Sequence, residues 1–154
     1  MNSLQIEKYL STLPVQNFGV YAADLIPTRI SPSTALVVNT DPHNEGGVHW
    51  VAFYLNGGGQ QIEYFDSFGL PPHLPFYQGF LRRNARRYLY NERRLQGADS
   101  SVCAQYCLTY LYCRTHFDMT MMDFVQLFDD DDDDTSTGHN DALIRRLFTH
   151  MYAK

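Results

Sequence analysis

Four polar residues, His49, Asp66, Gln96 and Cys103, have types and spacing that could support nucleophilic chemistry. His49 interrupts an apolar run, "GGVHWVAFYL", that reads as a buried strand. A buried imidazole needs partners for its ring nitrogens. The run is followed by three glycines and by "QIEYFD", so the two strands form a hairpin. With Gly57 and Gly58 as a two-residue turn, Asn56 opposes Gly59, Trp50 opposes Phe65 and His49 opposes Asp66. Opposed residues have Cβ atoms about 5 Å apart on one face. A carboxylate there would fix the imidazole tautomer and leave the second nitrogen free to carry a proton. A structural histidine with a satisfied hydrogen bond explains the pair equally well, so a nucleophile must decide. Cys103 follows a loop and opens a helix, where free backbone N–H groups and the helix dipole favour thiolate. A nearby histidine would add to that effect and act as general base. Gln96 lies at the start of the same loop, where its amide could donate to an oxyanion alongside the Cys103 N–H. The serine-hydrolase elbow G-x-S-x-G is absent.

The other cysteines, Cys107 and Cys113, read as packing residues. A zinc set of Cys103, Cys107, Cys113 and His116 would string three ligands along one helix, which cannot converge on a tetrahedron, so no metal site is expected. Three clustered cysteines argue against a disulfide framework and for a reducing compartment.

The elements that must position these groups can be read along the chain. Residues 3 to about 12 form a helix capped by Asn2 or Ser3. "VYAADLIPTRISPS" is broken by prolines and reads as irregular, and "TALVVNT" is a buried strand. After the hairpin comes a loop, "SFGLPPHLP", then a helix from about Leu74 to Tyr90. "VCAQYCLTYLYCRTHF" is helical, and Thr120 caps a further helix through Phe128, with Asp123 in the capping-box position. Asp129 to Asp134 form an acidic tract expected to be a disordered, solvated loop. "HNDALIRRLFTHMY" is an amphipathic helix. Helix, strands, then helices predict an α+β fold, and 154 residues suit a single domain over 1–154.

Composition narrows the class further. The chain is 44% hydrophobic and 14% aromatic, enough for a real core. It has no run of about 18 apolar residues and no basic flank with an apolar h-region at its start, so neither a membrane span nor a signal peptide is expected. The net charge of −5 comes from the aspartate tract; without it, 12 basic residues face 11 acidic ones. Arg82, Arg83, Arg86 and Arg87 repeat at i and i+4 and would form a basic helix face able to touch phosphates. The ordinary alternative is a solvated face paired with nearby acids.

The segments "SPSTALVVNT", "GGVHWVAFYLN", "IEYFDSFG" and "LQGADSSVCAQYCLTYL" resemble, in order and spacing, the adenovirus-type cysteine proteases of the adenain family. That family shares a clan with the ubiquitin-like-modifier proteases. The resemblance covers about residues 31–112. It implies an adenain-like fold, a central, mostly antiparallel sheet with helices around it and the nucleophile at a helix N-terminus. Carried over by position, Cys103 would be the nucleophile, His49 the general base and then acid, Asp66 the orienting acid, and Gln96 an oxyanion donor. The reaction would be peptide hydrolysis through a thioester. There are departures. The adenovirus enzymes have Glu at the Asp66 position and Gly at the Ala104 position, where the extra methyl would narrow the substrate groove. This chain is also shorter after Cys113. The resemblance further implies capsid or core precursors as substrates, a basic peptide and DNA as activators, and a monomer without membrane attachment. Its place would be the virion and the infected-cell nucleus or cytoplasm, without secretion. Competing readings are an isopeptidase for ubiquitin-like modifiers and a non-catalytic homologue that binds nucleic acid or protein.

Overall fold

The computed structural model describes residues 1–41, 49–131 and 133–153. The glycine pair of "GGVHW" and Asp132 of the acidic tract lie outside the described residues. The chain runs α1 (Ser3–Leu10), β1 (Asn17–Tyr21), a short 3-10 turn (Ala23–Leu25), β2 (Thr34–Asn39), β3 (Trp50–Leu55) and β4 (Gln61–Phe65). It continues through α2 (Pro75–Asn84), β5 (Arg87–Tyr90), α3 (Cys103–Phe117), α4 (Met121–Val125) and α5 (Asp134–Tyr152).

Among the described residues one sheet forms, in the order β1-β2-β3-β4-β5. The central pairs β2/β3 and β3/β4 are antiparallel and the outer pairs β1/β2 and β4/β5 are parallel. The sheet is therefore mixed rather than mostly antiparallel. Strand alternation divides the core into two layers. Ala35, Val37, Ala52, Tyr54 and Phe65 face α1, α3, α4 and α5, while Leu36, Val38, Val51, Phe53, Leu55, Ile62 and Tyr64 face α2. β2 is buried along its whole length, which is why "TALVVN" is a continuous apolar run rather than an alternating one.

Local chemistry sets several boundaries. Asn2 and Gln5 form a capping box at the start of α1, and Thr120 with Asp123 forms another at α4. The α4 helix is shorter than the expected run to Phe128. Pro75 sits at the first turn of α2, where its missing N–H is not needed.

Two strands escaped the sequence reading. β1 is a short edge strand containing Gly19, and only its parallel pairing with β2 makes it regular. β5 lies inside the segment expected to be helical to Tyr90. Its residues "RYLY" are aromatic and strand-prone, and pairing with β4 decides the conformation. Arg82 and Arg83 close α2, Arg86 lies beyond it and Arg87 opens β5, so the four arginines do not share a helix face. Arg82, Arg83 and Arg86 instead border a cleft of about 440 Å³ beside Gly59.

Among the described residues of the acidic tract, Asp133 and Asp134 form a helix end rather than a loop. Asp133 caps α5 by accepting from the Ser136 N–H at 2.8 Å, and Asp134 is in the first turn. Carboxylates there are favoured by the helix dipole. Asp130 meets Arg93 at 2.8 Å, and Arg93 also donates to the Phe128 and Asp129 carbonyls.

Candidate active site

His49 immediately precedes β3 and Asp66 immediately follows β4, at the same end of the hairpin. Ala52 pairs with Phe65 and Leu55 with Ile62, so the register is offset by two residues from the one a two-residue turn requires. The third glycine is the reason. Gly59 adopts φ +70°, and its N–H bonds to the Asn56 carbonyl at 3.2 Å, which lengthens the loop. An even offset keeps every side chain on its face. His49 and Asp66 therefore meet diagonally instead of directly, with Nε2 and Oδ1 2.6 Å apart.

Three residues around Asp66 (Phe68, Asn91 and Gly69) each have a definable task. The Asp66 Oδ1 atom also accepts from the Phe68 N–H at 2.9 Å. Phe68 stacks its ring on the His49 imidazole, with centroids 4.6 Å apart, and the Arg94 guanidinium lies over the Phe68 ring, 5.6 Å from its centroid. The Asn91 amide bonds to both the N–H and the carbonyl of Asp66, taking the place of a strand partner beyond the end of β4. Gly69 has φ +73°, and a Cβ there would sit 2.5 Å from the Arg93 carbonyl carbon. This close approach brings the loop after β4 against the segment that leads to Gln96.

The nucleophile candidate arrives from α3. Val102 is the N-cap, without a side-chain cap, and Cys103 is the first helical residue. The Trp50 N–H points at Cys103 Sγ at 3.5 Å, and Cys107 Sγ donates to the Trp50 carbonyl at 3.4 Å. One strand residue thus engages two successive turns of α3. Cys107 is completely buried, and burial raises its pKa well above the ordinary thiol value, so it remains an S–H donor. Cys113 is also buried in the core.

The electrostatics of His49 and Cys103 are reciprocal. Burial opposes a charged imidazole, but the hydrogen bonds to Asp66 and to Cys103 overcome it, and the His49 pKa is raised to about 9. Burial likewise favours the neutral thiol. The hydrogen bond with His49, those from the Trp50 and Ala104 backbone and the imidazolium charge outweigh it and lower the Cys103 pKa. Nε2 is taken by Asp66, which leaves Nδ1 for the hydrogen bond with Cys103. The arrangement favours the thiolate–imidazolium pair over the neutral thiol and imidazole.

Gln96 is 1% exposed and is held at both ends of its amide. Its Oε1 accepts from the Ser67 hydroxyl at 2.5 Å, and its Nε2 donates to the Ser100 carbonyl at 3.0 Å. This pattern fixes which end of the amide carries the donors, and an NH₂ has a second hydrogen to offer. The Ser67 carbonyl in turn accepts from the Leu95 and Gln96 N–H groups.

The structure therefore brings His49, Asp66 and Cys103 together and fixes Gln96 on the loop before Cys103. It does not bring the arginines 82, 83, 86 and 87 to this site. Ser67, Phe68, Gly69 and Asn91 were not singled out from the sequence. The string "YFDSFG" carried three of them, but a role needs the fold, because each acts on a residue from another segment. Ala104 corrects a second expectation. It is 2% exposed and packs in the core, so its methyl turns inward and does not narrow a groove. Among the described residues no three of His, Cys, Asp and Glu are placed to hold a metal ion.

A mixed sheet with a cysteine at the start of a core helix and a histidine–aspartate pair at the hairpin end defines an α+β fold with a cysteine-protease-like site. The family described as adenovirus endoprotease matches residues 19–149, and the chain belongs to that family. It is 35% identical over 101 residues to the protease of human adenovirus D serotype 9, covering 56% of this chain and 48% of that protein. It is 31% identical over 127 residues to the protease of snake adenovirus serotype 1, covering 73% and 60%. The chain spans about half the length of most of the relatives it matches. Among solved structures, an ASFV protease superposes with a TM-score of 0.52 at 23% identity, covering 79% of this chain and 44% of that one. ChlaDub1 of Chlamydia trachomatis superposes with a TM-score of 0.52 at 14% identity, covering 77% and 60%. These two likenesses are of fold alone.

Proposed function

We propose that the chain is a cysteine endopeptidase that cuts structural precursor proteins of a virus or of a virus-derived element. The observation that carries the reading is the relay of Asp66, His49 and Cys103, with the thiol's pKa lowered and the imidazole's raised. Cys103 is the nucleophile. Its thiolate attacks the scissile carbonyl, and the oxyanion that forms is met by the second Gln96 Nε2 hydrogen and the Cys103 N–H. The His49 imidazolium gives its proton to the leaving amine, and the C–N bond breaks to leave a thioester. Neutral His49 then takes a proton from water, which attacks the thioester and releases the acid and the thiolate. Asp66 keeps the imidazole in one tautomer and stabilises its charge.

The substrates rest on family membership, which also supports work in the virion or infected cell. A basic peptide and DNA are candidate activators on the same ground. The direct test incubates pure protein with capsid precursors and, separately, with a ubiquitin-like precursor, each with and without DNA and basic peptides. Cleavage of capsid precursors and labelling by a thiol-directed probe, both lost in Cys103→Ala, are expected. A probe-labelled protein that cuts only the ubiquitin-like precursor would overturn the substrate assignment. Undiminished cleavage by Cys103→Ala would overturn the chemistry.

A further inference from the structure

Helix α5 reaches the site through one buried carboxylate. Asp141 is 5% exposed and lies between two segments that the reaction needs in register. Its Oδ1 accepts from the Tyr106 hydroxyl at 2.9 Å. Tyr106 is on α3, about one turn beyond Cys103. Its Oδ2 accepts from the Gly97 N–H at 3.2 Å. Gly97 is the residue after Gln96. On the other side of Gln96, the Leu95 carbonyl accepts from the Asn140 amide at 3.2 Å. Gln96 is thus the middle residue of three, and both neighbours are pinned by adjacent residues of α5.

Gly97 shows how close this contact is. A Cβ there would stand 3.0 Å from Asp141 Oδ2 and 3.5 Å from Thr137 Oγ1, so a side chain would push the loop away from α5. Its φ is not positive, so the need for glycine is one of space rather than of backbone conformation.

We infer that Asp141 is a positioning residue: its carboxylate ties the nucleophile helix to the loop carrying Gln96 and sets the height of the amide above Cys103. This rests on the oxyanion role proposed for Gln96. A donor aimed at a developing charge loses its value with small displacements, and about 1 Å can cost about 100-fold in rate. The tie acts on the oxyanion and not on the thiol, so the two can be separated. Alkylation by iodoacetamide passes through no oxyanion, whereas amide hydrolysis does.

The experiment compares Asp141→Asn, Gly97→Ala, Gln96→Ala and the Asp141→Asn/Gln96→Ala double variant. Asparagine keeps an oxygen for Tyr106 but presents an NH₂ to the Gly97 N–H. The expected result is a fall in kcat of up to about 100-fold for Asp141→Asn, with Cys103 alkylation within about twofold of wild type. Gly97→Ala should show the same split, and it carries the test if Asp141→Asn does not fold. In the Gln96→Ala background Asp141→Asn should cost almost nothing more. The inference is overturned if kcat and alkylation fall together, or if the two losses multiply in the double variant. If Gln96→Ala alone leaves kcat unchanged, the oxyanion role of Gln96 fails first and the inference falls with it.

Discussion

Replacing Asp66 with asparagine removes the charge that faces His49 while keeping the side chain's size. The rise of the His49 pKa from 6.5 to about 9 corresponds to about 3 kcal/mol in favour of the imidazolium. Asp66 and Cys103 share that rise against the cost of burial, with the Asp66 hydrogen bond the largest favourable contribution. A neutral amide would therefore remove about 2 kcal/mol, or about 30-fold in kcat/KM. The amide can also turn its NH₂ toward Nε2 and hold the wrong tautomer, so 30-fold is a lower bound. The sign in pH is also defined. Imidazolium must be present to protonate the leaving amine, and it is lost as pH rises through about 9, which sets the alkaline limb of wild-type activity. Asp66→Asn should move that limb down toward the ordinary imidazole range. The thiol should lose part of its imidazolium partner, so its alkylation should need higher pH. The assay is kcat/KM from pH 5 to 10 on a fluorogenic peptide taken from a capsid precursor, with iodoacetamide rates over the same range. Activity within about twofold of wild type with an unmoved alkaline limb would refute the reasoning.

Further outcomes follow from the same geometry. Gln96→Ala should lower kcat by about 10²–10³-fold with intact alkylation, as measured on the same peptide. Ser67→Ala frees the Gln96 Oε1 and should give a smaller loss of the same kind, with no further loss in the Gln96→Ala background. His49→Ala should abolish turnover while leaving the far-UV circular dichroism unchanged, and near-full turnover would contradict its role as base. Glu63→Ala should destabilise the fold by about 3 kcal/mol in urea titration, because it leaves Arg114, 2.7 Å from Glu63, with only the exposed Asp118 as an ion-pair partner and deprives the buried Tyr110 hydroxyl of its acceptor.

How much of this was legible beforehand depends on the range of the forces involved. α1, α3 and the Thr120–Asp123 capping box follow from local pattern and were readable. The His49–Asp66 pair was readable in its partners but not in its register, because three glycines leave the loop length open and only packing closes it. β5 was misread because the helical pattern of α2 carries on in the sequence past Asn84, while its conformation is decided by β4. The Asp133 cap was hidden by composition, since six aspartates read as one solvated block. Ser67, Asn91 and Asp141 carry no signal of their own, and each acquires a task only when another segment arrives.

The distribution of the site along the chain has a consequence for biosynthesis. Its groups come from the hairpin, from the loop before α3 and from the helix that Trp50 receives, with Trp50 and Cys103 53 positions apart. A ribosome-bound fragment that ends before Cys103 is chemically silent, and a longer one stays silent until its helix docks on the sheet. The site is therefore complete only after both segments have been made and have packed together. By the same logic, the titre of alkylatable, hydrolytically competent thiol in a preparation is a census of its correctly folded molecules.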